Sequence, residues 1–114
     1  MRYLKLGKTG LEVSEVGFGG IPIMNLSMEE GVSLLRHCLE LGITFFDTAN
    51  MYGDSEKKIG IALESVRDQV VLATKTLNRD EEGAAKHVDF SLENLKTRVV
   101  DIYQLHVESL EAIR

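Results

Sequence analysis

The 114 residues are 44% apolar and carry 18 acidic against 13 basic side chains, for a net charge of −5. That is the length of one ordinary domain with enough apolar content for a single core, and the acidic balance speaks against nucleic acid or an anionic membrane as a partner. Cys38 is the single cysteine, which excludes an internal disulfide framework and a cysteine-rich metal site and fits a reducing compartment, with the cytoplasm as the default. No apolar run reaches the length of a membrane span, and the opening MRYLKLGKTG lacks the apolar core of a signal peptide, so no export is expected.

In chain order, RYLKLGKTGLEV predicts a hairpin over about residues 1–12, because the glycines of a Gly-Lys-Thr-Gly turn supply the backbone angles a tight reversal needs. VSEVGFGG predicts a third extended piece whose end, crowded with Gly17, Gly19 and Gly20, lets backbone approach a ligand closely. Ser27 followed by Glu30 is a capping box. It opens a helix in which Met28, Val32, Leu35 and Leu39 form the buried stripe and Gly42 supplies a left-handed end. GITFFD is a short apolar run with the character of a strand covered on both faces. Beyond it, Ser55 is expected to cap a second helix that buries Ile59, Ala62, Leu63 and Val66. VVLATK predicts the next strand. Asp80 caps a third helix with Val88, Ser91, Leu92 and Leu95 on one side, VVDIYQLHV is a further strand, and ESLEAIR reads as the opening of a fourth helix.

Strands alternating with helices of this length imply right-handed parallel units. The expected strand ends fall near Gly19, Asp47, Lys75 and His106, separated by 28, 28 and 31 residues. Such regularity is that of a (β/α) TIM-type barrel, which takes about 250 residues for eight units. The expectation is therefore an α/β fold in which residues 1–114 form about the first half of a barrel: the hairpin, then βαβαβαβ to about residue 107. Carboxyl ends of barrel strands surround a mouth where polar groups are usually functional. Taken singly, Asp47 is a common turn residue, Lys75 a strand-end lysine with its head in water, and His106 a hydrogen-bonded core histidine. Together with Tyr52 on the following loop, they predict a cluster. His37 and Cys38 are helical neighbours that diverge and cannot chelate as a pair, no metal site is expected, and His87 is expected on the solvated side of its helix.

FFDTANMYG, LATKT and IYQLH, in this order and spacing, resemble the Asp, Tyr, Lys and His tetrad of the aldo-keto reductase family, and VGFGG resembles that family's first strand. The resemblance covers essentially the whole chain. It implies reduction of an aldehyde or ketone by hydride transfer from a nicotinamide cofactor, NADPH first and NAD second, with Gly19, Gly20, Ile21 and Asp47 beside nicotinamide and ribose. The chemistry fits the residues. The alkoxide needs a proton from a nearby acid, which would be Tyr52. A phenol ordinarily titrates near pH 10, so donation near neutrality takes roughly 4 kcal/mol in favour of the phenolate. Lys75 would supply it, Asp47 would keep the ammonium charged despite burial, and His106 would donate to the substrate carbonyl. The family's fold also serves as a regulatory subunit that holds cofactor with little turnover, as in potassium-channel β subunits, and an inactive half barrel that self-associates is a further alternative. Because barrels commonly place the phosphate site after their last strands, weak or no cofactor binding is expected of these 114 residues alone, with self-association through two open sheet edges.

Overall fold

The computed structural model describes residues 1–78 and 80–105. The hairpin is present: β1 (Tyr3–Lys5) and β2 (Glu12–Ser14) pair antiparallel, Leu4 opposite Val13. Its reversal places Gly7 and Gly10 in the left-handed region, at φ +54° and +80°, which glycine adopts without a Cβ penalty. Ser14 and Thr44 then lock the hairpin to the amino end of the sheet, each amide donating to the other's hydroxyl oxygen at 3.1 and 2.9 Å. The Tyr3 hydroxyl adds a bond to the Gly42 carbonyl at 2.9 Å.

Four parallel strands follow, β3 (Gly17–Gly19), β4 (Phe45–Asp47), β5 (Val71–Thr76) and β6 (Ile102–Leu105), lying side by side in chain order. Three helices make the crossovers: α1 (Met28–Glu40), α2 (Ser55–Leu63) and α3 (Glu81–Leu95). This is the α/β, parallel (β/α) arrangement expected of the early units of a barrel. GITFFD yields a shorter strand than its apolar run suggested, because Gly42 turns the chain at φ +93° and the Thr44 amide is engaged by the hairpin.

Side chains alternate across a strand, and the two faces differ sharply. Phe46, fully buried, and Leu72 enter a cluster with Val32, Leu35, Ile59 and Leu63, so this parity faces the helices. Phe18 joins it, its ring 5.8 Å from that of Phe46. Full burial of one such side chain contributes about 1.5–3 kcal/mol. The other parity, including Asp47, Ala73 and Lys75, points away from the helices, into the side that a closed barrel encloses.

The helix ends follow the sequence at two of three starts. Ser27 and Glu30 form the reciprocal capping box, with bonds of 3.1 and 3.2 Å, and the bond from the Ser27 amide holds the Glu30 carboxyl below its ordinary range. The Asp80 carboxylate accepts from the Gly83 amide at 2.6 Å and caps α3. Ser55, however, does not cap α2: the helix begins on it, Asp54 stands at the cap position without a side-chain cap bond, and the Ser55 hydroxyl is engaged elsewhere. Two stripe residues also differ. Met28 is 37% exposed while Gly31 and Cys38 lie on the buried face of α1. Val66 is only partly buried because α2 gives way at Glu64 to a tight 3-10 segment in which Val66 leaves helical geometry. Burial pushes the Cys38 thiol up, so it stays protonated. The expected fourth helix start lies outside the described residues. No helix among the described residues is long and apolar enough to cross a membrane.

Candidate active site

Asp47 is the last residue of β4, and Lys75 is the penultimate residue of β5. Parallel pairing sets Gly19 opposite Asp47 and Asp47 opposite Ala73, with Lys75 two residues further along β5 and opposite Gln104. Because Ala73 and Lys75 share a parity, the lysine rises on the same face as the aspartate and one step nearer the mouth. Its ammonium lies 3.1 Å from each carboxylate oxygen of Asp47 and 2.9 Å from the Thr48 carbonyl. Lys75 is 8% exposed. A buried ammonium without partners would be costly; here every proton has an acceptor and one partner is a carboxylate, which offsets the desolvation.

Tyr52 comes to the same ammonium from the β4–α2 loop, its ring centroid 5.2 Å from Lys75 Nζ. That is within the range at which a cation is attracted to an aromatic face. The contact is through the ring: no hydrogen bond joins the phenol oxygen to the ammonium, whose protons are held by Asp47 and Thr48. The loop is fixed at both ends, the Tyr52 amide donating to the Ala49 carbonyl at 3.1 Å and the Ser55 amide to the Tyr52 carbonyl at 2.9 Å. The Asn50 amide donates to the Lys75 carbonyl at 3.0 Å, tying the loop to β5 as well. Asp47, Tyr52 and Lys75 are thus brought together. His106 lies outside the described residues.

The three residues expected beside a cofactor occupy the end of β3, next to Asp47. Gly19 faces open space, since an added Cβ would meet nothing within 4 Å. Gly20 is different: its amide donates to the Asp47 carbonyl at 2.8 Å, and an added Cβ would fall 2.5 Å from Ser55 Oγ and 2.6 Å from Thr48 Oγ1. Glycine is required there by packing. Ile21 is 56% exposed at the rim and precedes the 3-10 turn Pro22–Asn25. Gly19 and Ile21 therefore leave an uncrowded, partly apolar shelf beside the Asp47 carboxylate.

Several residues that build the site carry no signal in isolation. The Thr48 and Ser55 hydroxyls, both buried, meet at 2.7 Å across the neck of the tyrosine loop. The fully buried Lys58 donates at 2.7 Å to the Ile23 carbonyl, the Leu26 carbonyl and Asp54, pinning the β3–α1 loop. Its spacing with Ser55, Ile59 and Ala62 is helical, so the pattern could have placed Lys58 on the buried face. Glu56, also buried, accepts from the Thr74 hydroxyl at 2.7 Å and from the Asn94 amide at 3.2 Å. His87 is not on a solvated face: its ring lies between Thr76 Oγ1 at 2.6 Å and the Asn78 amide at 3.3 Å. The polar residues beside it misled the helical reading, because His87 faces the polar last residue of β5, Thr76, and the loop that follows it. Tyr103 has the parity of Thr74, toward the helices, and burial pushes its phenol up. It is not part of the cluster.

Known proteins resemble this chain in sequence and in fold. The model of the Aldo/keto reductase family matches residues 15–109. The uncharacterized oxidoreductase YqkF of Bacillus subtilis is 38% identical over an alignment covering 97% of this chain and 40% of that protein. The chain thus spans about two-fifths of the length of the curated relatives it matches. Among solved structures, the holo form of aldo-keto reductase AKR11C1 from Bacillus halodurans superposes with a TM-score of 0.86 at 34% identity, covering 97% of this chain and 42% of that one. An aldo-keto reductase from Klebsiella pneumoniae solved in complex with NADPH gives 0.79 at 29% identity, covering 88% and 37%.

Proposed function

The chain belongs to the aldo/keto reductase family, and on that premise we propose that it provides the acid–base side of a cytoplasmic NADPH-dependent reductase of aldehydes or ketones. The observation that carries this reading is the Lys75 ammonium, buried, neutralised by Asp47 and set beneath the Tyr52 ring. NADPH, when bound, supplies the hydride to the carbonyl carbon, and NADH would do so in a variant of the same chemistry. Gly19, Ile21 and the Asp47 carboxylate would hold its nicotinamide end, and Gly20 would shape that shelf from below. The Klebsiella relative solved with NADPH supports the choice of nucleotide.

Tyr52 then donates its proton to the carbonyl oxygen as the C=O double bond becomes a C–O single bond, leaving a phenolate. The phenolate is stabilised by Lys75, which exchanges part of its bidentate contact with Asp47 for one with the new anion. Asp47 remains the carboxylate partner of Lys75. His106 orients the carbonyl by donating to its oxygen. Water returns the proton to Tyr52 after the alcohol leaves.

The test is turnover in the full-length protein. NADPH oxidation with a reactive aldehyde is expected to fall by about 100-fold or more in Tyr52→Phe, the range associated with losing a positioned general acid. Undiminished turnover in Tyr52→Phe would remove Tyr52 from the reaction and with it this reading.

A further inference from the structure

The geometry points to Thr48 and Ser55 as positioning residues: their buried hydroxyl pair, seated on Gly20, is a clasp that holds Tyr52 over Lys75. This inference rests on the functional reading above for its meaning, though not for its geometry.

The loop from Thr48 to Ser55 leaves the sheet at the end of β4 and re-enters regular structure at the first residue of α2, with Tyr52 at its middle. Gly53, at φ +54°, takes the left-handed conformation in it. Across the neck of that loop, Thr48 Oγ1 and Ser55 Oγ lie 2.7 Å apart, at 1% and 0% exposure. A hydrogen bond so deeply buried has no water to replace it, so opening the neck leaves both hydroxyls unpaired. Ser55 also forgoes the usual use of a serine at a helix start, since neither it nor Asp54 makes a side-chain cap on α2.

Two further contacts give the clasp its direction. Thr48 presents its carbonyl to the Lys75 ammonium at 2.9 Å while its hydroxyl holds Ser55. One residue therefore fixes the lysine through its main chain and the tyrosine loop through its side chain. Behind it, Gly20 lies so close that any Cβ would strike both hydroxyl oxygens and Thr48 Cβ, at 2.5, 2.6 and 2.9 Å. The glycine closes the third side and prevents the pair from relaxing toward β3.

The 114-residue protein itself provides the first readout. Lys75 Nζ sits 5.2 Å from the Tyr52 centroid, so the ring current of Tyr52 displaces the Lys75 ε-methylene proton resonances from those of a free lysine. Thr48→Val, which keeps the shape and removes the hydroxyl, is expected to return these resonances most of the way to the free-lysine position, and Thr48→Ser is expected to restore them. Ser55→Ala and Gly20→Ala are expected to act in the same direction, and they carry the test should Thr48→Val fail to fold. In the full-length enzyme, Thr48→Val is expected to lower kcat about tenfold or more through misplacement of Tyr52, with the KM for NADPH within about twofold of the parent because the shelf at Gly19 and Ile21 is untouched. Unmoved Lys75 resonances in a folded Thr48→Val, or kcat and KM changing together without rescue by Thr48→Ser, would overturn the clasp. Tyr52→Phe keeps the ring and hence the resonance position, so failure of the clasp and failure of Tyr52 as the acid are read separately.

Discussion

Lys58 and Lys75 are both buried, and their surroundings set different roles. Lys58 is fully enclosed with three acceptors at 2.7 Å, and its stem fills the space left by Gly31, whose Cβ would fall 2.7 Å from Lys58 Cδ. It has no room to move. Lys75 has longer bonds to its carboxylate and an aromatic face beside it. It can exchange an acceptor. Lys58→Met, which keeps length and removes the ammonium, is expected to destabilise the 114-residue protein by about 2 kcal/mol in urea unfolding, since two main-chain carbonyls lose a charged donor while Asp54 can turn to water. No loss of stability would show that the carbonyls of residues 23 and 26 find other partners. The sequence showed Asp47, Tyr52 and Lys75 because each stands at or just beyond a strand end, a position legible from periodicity. Thr48, Ser55 and Gly20 were invisible as a unit because their contact joins three segments, and no local pattern reports a contact of that kind.

At the scale of elements, α2 lies between α1 and α3 and is buried on more than one side, which is why Ser55, Glu56, Lys58, Ile59, Gly60 and Ala62 are all enclosed. The expected single apolar stripe was therefore too narrow. Gly60 marks the crossing with α3: a Cβ there would lie 2.9 Å from the Leu95 Cα and would also strike the Asn94 carbonyl. Main chain cannot yield as a side-chain tip does. Gly60→Ala is expected to lower stability by about 1–3 kcal/mol through overpacking, despite the better helix propensity of alanine; a gain in melting temperature would mean that the two helices separate freely. The helix starts at Ser27 and Asp80 were legible because a cap is a local motif. The start at Ser55 was misread because tertiary packing recruited the same hydroxyl for the clasp.

For the whole molecule, the succession of parallel strands and crossover helices followed from the 28-residue rhythm of the sequence, since each βα unit repeats one geometric step, and the hairpin from its turn glycines. What the rhythm could not give is the covering of the far face of the sheet. Among the described residues, β3 and β6 each pair on one side only, and Phe45 and Ile102 of the inner parity are part exposed. Unpaired parallel edges of this kind invite further strands. Light scattering on the 114-residue protein is expected to report association above the monomer mass, and a monodisperse monomer at high concentration would contradict this.

Proton donation from Tyr52 requires that it and Lys75 act as one device. The direct measurement is a double-mutant cycle on turnover in the full-length protein, comparing Tyr52→Phe, Lys75→Met and the pair with the parent. If the ammonium works only through the phenol, the double variant is expected to be no slower than the slower single variant, the non-additivity of residues that form a unit. Losses that simply multiply would show two independent contributions and would contradict the account.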